Sequence, residues 1–270
     1  MGHPPPDLRA RLRAAADRLG PFGARLDVRA EVGSTSDEVA ALADAGAPHG
    51  AVVVASAQRA GRGRHGNDWY SPSGTGLYLS VLLRRLPDPI LTLMAGVAVA
   101  ETLRRLTRLD AQLDWPNDVV VPDGGALWKV AGILAEGVAG AGGEASAHVV
   151  LGIGVNLREG GWPAGLADRV GSIEGLTGVA VDADELLVEL LAALAGGCAA
   201  LDGLQRADLL ARWERLAPSS RGTPVTWTVG DRRHEGVTAG VDHDGALLVR
   251  RGGRLERLRG GEVRRVRPGG

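Results

Sequence analysis

The 270-residue chain is 44 % apolar and 23 % charged, with a formal net charge of −1, which describes an ordinary globular protein with room for one large domain and a small one. Nothing in that balance demands a nucleic acid or an anionic membrane as partner. The N-terminal MGHPPPDLRARLR has no apolar core and does not read as a signal peptide, and the most hydrophobic stretch, 90–100, is too short to cross a bilayer. The single cysteine, Cys198, has no partner for an internal disulfide and lies in an apolar helical pattern, so a buried thiol and a cytoplasmic location are expected.

In chain order, the pattern predicts a short amphipathic helix over 7–19 and a strand over 26–32. About 25 residues precede that strand, too few for a DNA-reading helix-turn-helix unit. Gly33-Ser34-Thr35-Ser36-Asp37-Glu38 then opens a helix to about residue 45. Thr35 with Glu38 fits a capping box, and the same hydroxyls could instead face a small polar ligand.

An apolar run at 51–55 leads into QRAGRGRHGNDWYSPSGTGLYLS (58–80), a long glycine-rich loop that returns as a strand over 77–83. Glycines let a backbone approach a ligand closely, and Arg62 and Arg64 place planar donor forks that suit phosphate or carboxylate. The competing reading is a solvated loop whose arginines keep it soluble.

A helix over 89–106, a strand over 111–115, the turn Pro116-Asn117-Asp118, an apolar run at 119–121, a hairpin turn at 122–125 and a strand over 127–136 follow. The chain holds 30 arginines and one lysine, Lys129. A lone lysine is either a chance survival or a site that wants a compact ammonium. Strict alternation puts Lys129 on the face of Ala131 and Ile133, opposite Trp128, Val130, Gly132 and Leu134. A charge there must be paired or face a cleft.

A turn at 140–143, a strand over 148–155 ending at Asn156, helices over 182–200 and 206–216, and a linker at 218–220 complete the first part. Beyond it, short strands (224–229, 233–242, 246–250, 255–258, 262–267) between Gly-Asp and Gly-Gly turns predict a small β-barrel. Residues 219–270 carry 11 Arg against 6 acidic residues, +5, whereas the rest carries 20 Lys and Arg against 26, −6. Such an excess protects strand edges, binds nucleic acid or docks an acidic protein. No Walker-type loop and no His/Cys ligand cluster occurs.

Gly33-Ser34-Thr35, the 58–80 loop with its GRGRHG core and SPSGTGLYLS exit, Trp115-Pro116-Asn117-Asp118, KVAGILAE (129–136) and GIGVNL (152–157) together resemble the biotin–protein ligases, in the family's order over roughly residues 27–270. The resemblance implies an α+β fold: a mixed, mostly antiparallel sheet with helices on one face, as in class II synthetases, plus an SH3-like barrel. It divides the chain into an N-terminal extension (1–26), a biotin- and ATP-binding catalytic domain (27–217) and the barrel (218–270). The implied activity is that of a monofunctional ligase without a DNA-binding domain. Biotin and MgATP give biotinyl-5′-AMP, and the biotinyl group passes to a lysine of a biotin carboxyl carrier protein of an acyl-CoA carboxylase such as acetyl-CoA carboxylase. A homodimer is plausible on the same ground.

Carried over by position, Ser34, Thr35, Ser36, Gln58, Gly61, Arg62, Gly63, Arg64, Lys129 and Gly132 form the implied biotin set. Arg64, Trp69, Asn117, Lys129 and Asn156 form the ATP set, and Asn156 lies nearest a Mg2+ held through the phosphates. Lys129, Arg64 and Arg62 are the implied catalytic cations. Three departures stand out: Ser36 replaces the usual Asn, Asn67-Asp68 stands where an Arg is common after the loop core, and Asp114 stands where Lys is common before Trp115. A lipoate- or octanoate-protein ligase or transferase of the same fold is the nearest alternative. A non-enzymatic nucleic-acid binder is the alternative from another class.

Overall fold

The computed structural model describes residues 5–84, 88–140, 143–202 and 205–266. Its centre is a seven-stranded sheet in the order β1-β2-β3-β7-β6-β5-β4. These strands are β1 (Leu26–Val32), β2 (Val52–Gln58), β3 (Gly76–Leu83), β4 (Gln112–Asp114), β5 (Asp118–Asp123), β6 (Ala126–Gly140) and β7 (Gly143–Asn156). Only β1 and β2 run parallel; every other neighbouring pair is antiparallel. This is the mixed, mostly antiparallel α+β sheet expected.

Helices lie on both faces of it, not on one. α4 (Leu91–Thr107), α6 (Ala183–Asp202) and α7 (Arg206–Leu216) cover one face, where Val52, Val54, Leu79, Val81, Leu151 and Ile153 join the main core. α3 (Thr35–Asp44) covers part of the other, where Val39 and Ala43 meet Val53, Leu82 and Val150. The strand ends beneath α3 are therefore apolar on successive residues, because both faces are buried. Further along the same face the residues become Ser80, Gly152, Gly154 and Gly132, and there the sheet carries the candidate site.

The helix expected over 7–19 is two, α1 (Pro6–Ala14) and α2 (Ala16–Leu19), broken at Ala15. Ala15 leaves helical geometry at φ −99°, ψ 3°, and the turn brings Leu8, Ala15 and Leu19 all into the core. A short helix absent from the sequence pattern, α5 (Ile173–Thr177), buries a single residue, Ile173. One apolar position is too weak a signal for periodicity to find. Gly124 and Gly125, at φ 58° and 80°, form the two-residue turn between β5 and β6. Gly140 and Gly143 pair across the next hairpin, and residues 141–142 of the expected turn lie outside the described residues.

A second sheet, β11-β10-β9-β8-β12, follows from β8 (Arg221–Val229), β9 (Arg232–Val241), β10 (Leu247–Arg251), β11 (Arg254–Leu258) and β12 (Val263–Arg265). It is antiparallel throughout, consistent with the SH3-like barrel expected, and buries Val225, Trp227, Leu247 and Val249. It docks beside β4: Trp115 Nε1 donates to Gly245 O at 3.0 Å, and Arg265 pairs with Asp114 at 2.7 Å.

Candidate active site

Three short segments build the polar end of the site. Ser34 is the N-cap of α3, accepting from the Ser36 N–H at 3.3 Å, so the Thr35–Glu38 capping box expected is replaced by a cap one residue earlier. That releases the Thr35 hydroxyl. Thr35 donates to Gln58 Oε1 from its backbone N–H at 2.9 Å and its hydroxyl at 3.1 Å, and shares a 2.8 Å hydrogen bond with Ser80. Ser80 also meets Ser36 Oγ at 3.1 Å, Gln58 Nε2 donates to Ser71 Oγ at 2.9 Å, and Ser71 donates to Trp69 O at 2.9 Å. The chain of hydroxyls and amide is largely buried, so its spare donors and acceptors are arranged for a small polar group. Gly61 is closed in by it: a Cβ there would lie 2.5 Å from Trp69 O and 2.9 Å from Gln58 Nε2.

Beside this network lies a floor of two facing glycines, Gly132 on β6 and Gly154 on β7. The Trp69 indole rests directly on them: a Cβ on Gly154 would lie 2.3 Å from Trp69 Nε1, and one on Gly132 2.7 Å from the ring. Trp69 Nε1 is buried there without a hydrogen-bond partner.

Lys129 borders the same floor, with Nζ 5.3 Å from the Trp69 ring centroid and Cε 3.4 Å from where a Gly132 Cβ would be. The face expected for it is therefore corrected. Strict alternation fails because a β-bulge intervenes: Val119 pairs with Ala131 but Val120 pairs with Lys129, leaving Val130 extra. Val130 and Ala131 both enter the core, and Lys129 turns to the open face with Gly132.

The Lys129 ammonium pairs with Asp118 at 2.6 Å. Burial pushes the Asp118 carboxyl above the usual carboxylate range, against the pull of that ammonium. Arg64 reaches the same corner, donating to Asn117 Oδ1 at 3.4 Å, and burial lowers its guanidinium below the ordinary value. Among the described residues no carboxylate lies within ion-pair distance of Arg64, so this cation has capacity for an anionic ligand. Asn117 is fixed by Nδ2 donating to Ile133 O at 3.0 Å, and the preceding Trp115–Pro116 peptide is cis.

Asn156 stands behind this corner, 2 % exposed, its amide donating to Gly171 O at 3.1 Å and Lys129 O at 3.4 Å. With Lys129 N donating to Arg169 O and Gly171 N donating to Lys129 O, it ties the 169–171 segment to the Lys129 strand. Arg62 points elsewhere. Its guanidinium bonds to Asp37 on α3 and, at 3.0 Å, to Glu136 on β6. Gly63 makes the loop turn, its N–H donating to Asn67 O at 2.7 Å.

The sequence-named residues Thr35, Ser36, Gln58, Gly61, Arg64, Trp69, Asn117, Lys129 and Gly132 thus meet along one sheet face. Ser71, Ser80, Asp118 and Gly154 join them and carried no role in the sequence reading. Ser80 and Gly154 alternate correctly with Tyr78 and Gly152 for the open face, and Asp118 directly follows Asn117, so signals were present for these three. Asp37 and Glu136 become visible only once the loop is folded.

A family model described as the biotin/lipoate A/B protein ligase family matches residues 33–156. A biotin–[acetyl-CoA-carboxylase] ligase from Paracoccus denitrificans is 37 % identical over 232 residues, 82 % of this chain and 92 % of that protein. The chain belongs to the biotin/lipoate A/B protein ligase family. A bifunctional ligase/repressor BirA from Escherichia coli is 33 % identical over 218 residues, 79 % of this chain, and this chain spans 66 % of its length. Among solved structures, the biotin protein ligase from Aquifex aeolicus in complex with biotin and ATP superposes with a TM-score of 0.76 at 27 % identity, covering 90 % of this chain and 99 % of that one. The family match spans the Ser34–Ser36 turn, the glycine-rich loop, Lys129 and Asn156, the segments that build the site.

Proposed function

We propose that this protein is an ATP-dependent biotin–protein ligase whose acceptor is a lysine on a biotin carboxyl carrier domain of an acyl-CoA carboxylase. One observation carries the reading: a hydroxyl–amide network, a two-glycine floor and the chain's only lysine lie in line on one sheet face. That order matches a ligand with a polar ureido head, a compact apolar ring and a terminal carboxylate. Thr35, Ser36, Gln58, Ser71 and Ser80 take the head and Lys129 the carboxylate, and the Trp69 indole, seated on Gly132 and Gly154, supplies the apolar surface between them.

Chemistry at Lys129 joins two anions, a carboxylate and an α-phosphate. Lys129 and Arg64 offset their repulsion and stabilise the charge that builds as pyrophosphate leaves. In the second step a neutral carrier amine attacks the acyl carbon of the mixed anhydride, the bond to the adenylate oxygen breaks, AMP leaves and the amine sheds a proton. Asn156 supports the site through the Lys129 carbonyl, and Asn117 by holding Arg64. ATP arrives as its magnesium complex. The donor set fits a Mg2+ carried on phosphates, with Asp118 engaged by Lys129 and the only group of three ligating side chains among the described residues being Asp242, His243 and Asp244, in the turn between β9 and β10.

Exchange of labelled pyrophosphate into ATP tests this, with biotin, lipoate and octanoate supplied separately. Exchange with biotin alone is expected. Exchange with lipoate or octanoate alone moves the assignment to that relative of the same fold, and none with any acid from folded protein contradicts it.

A further inference from the structure

Arg62 lies in the middle of the glycine-rich loop, yet its guanidinium faces protein carboxylates on opposite walls. Asp37 is in the first turn of α3 and Glu136 is on β6, and both line a cleft of about 620 Å³ with Arg62, Arg64, Asp68 and Leu134. Burial draws the Arg62 guanidinium down, and the bonds to Asp37 and Glu136 more than offset it. Besides Arg64 and the Trp69 indole, the loop is tied at its base by Arg59 N–H to Val32 O at 3.0 Å, Ala60 N–H to Gly33 O at 2.8 Å, Gln58 N–H to Ser71 O at 3.1 Å and Gly74 N–H to Ser56 O at 3.3 Å. Nearer the tip it has Trp69 N–H to Gly61 O at 2.8 Å, Gly63 N–H to Asn67 O at 2.7 Å and Asn67 N–H to Arg64 O at 3.1 Å. At its tip His65 sits in the left-handed region at φ 58°, a strained conformation for a residue with a side chain.

The two loop arginines thus divide their work. Arg64 reaches inward to Asn117 and the Lys129–Asp118 corner, and Arg62 spends its fork on the walls. Pairs this exposed are individually weak, so a closure built on two of them holds the loop and still releases it.

We propose that Asp37 and Glu136 are positioning residues that hold the glycine-rich loop shut through Arg62, so that a reactive acyl adenylate stays in the site until its acceptor amine arrives. What is retained rests on the ligase reading; the closure rests on geometry alone. Hydrolysis of an escaped adenylate returns the free acid and AMP, so a loose loop wastes ATP without transfer.

Hydrogen exchange in the unliganded protein tests the closure with no substrate present. Asp37→Asn and Glu136→Gln should each speed exchange of the Trp69 amide by about three-fold and the double variant by about ten-fold. Arg62→Lys, which keeps the charge but cannot span both carboxylates, should fall between wild type and the double variant. Unaltered Trp69 exchange in the double variant overturns the closure, whether or not the protein proves to be a ligase. Retention is read as the ratio of acyl adenylate released to solvent to acyl group delivered to the carrier. That ratio should rise in the double variant, and a merely structural role would lower both together. A loop that opens while the ratio stays at the wild-type value overturns the retention role.

Discussion

At the scale of the residue, Lys129 and Asp118 set the chemistry. Lys129 is the compact cation in a chain that otherwise uses arginine, and the space around it explains the choice: Trp69 on one side, Asp118 at 2.6 Å on the other. Lys129→Arg should therefore lower biotin-dependent pyrophosphate exchange by about 100-fold while the melting temperature moves by less than about 4 °C. Full exchange activity in a folded variant would contradict the role. Asp118 supplies a pH signature. Its folded pKa is raised by burial above the unfolded value, so the native state binds its proton more tightly, gains stability as pH falls and loses it as pH rises through the folded pKa. Asp118→Asn cannot titrate, so its stability relative to wild type should fall as pH drops from neutral toward the ordinary carboxylate range. Melting curves of the two proteins across that range check this, and an Asp118→Asn variant that gains on wild type during acidification contradicts it.

At the scale of the element, the β6 bulge decides which face the lysine takes. Deleting Val130 removes the extra residue and restores strict alternation, with Lys129 and Gly132 still on the open face and Ala131 and Ile133 in the core. Stability should fall by about 2 kcal/mol, read from denaturant midpoints, because the fully buried Val130 side chain leaves the core. A deletion variant as stable as wild type would contradict this. The same bulge marks where sequence reading stops. β1 and α7 were legible to the residue, because their apolar periods run unbroken. A bulge changes pairing without changing residue type, so nothing in Lys129-Val130-Ala131 announced it. Likewise Thr35 with Glu38 satisfies a capping pattern, and only the backbone reveals that Ser34 holds the cap and Thr35 the site. The polar set was visible as motifs. The carboxylates that hold Arg62 were not, because Asp37 and Glu136 lie far apart in sequence and meet only through a folded loop.

At the scale of the whole molecule, the second sheet is tied to the first beside the site. Arg64 and Arg259 both border the cleft between them, about 250 Å³ in volume, with Thr92, Trp115 and Asp244. Asp114, commonly lysine in the family, faces Arg265 across that junction at 2.7 Å. Asp114→Lys should therefore lower stability by about 1 kcal/mol, and adding Arg265→Asp should restore most of it. Thermal melts of the three proteins measure the coupling, and a single variant as stable as wild type would show the pair to be inert. None of the helices among the described residues is long and apolar enough to cross a membrane.

Incubating the protein with biotin, MgATP and a purified biotin carboxyl carrier domain, and weighing the carrier by intact mass spectrometry, reads the full reaction in one step. One biotinyl group on one carrier lysine with the wild-type protein, and none with Lys129→Ala, is the predicted result. A carrier left unmodified by folded wild-type protein, or modified equally by the Lys129→Ala variant, would contradict it.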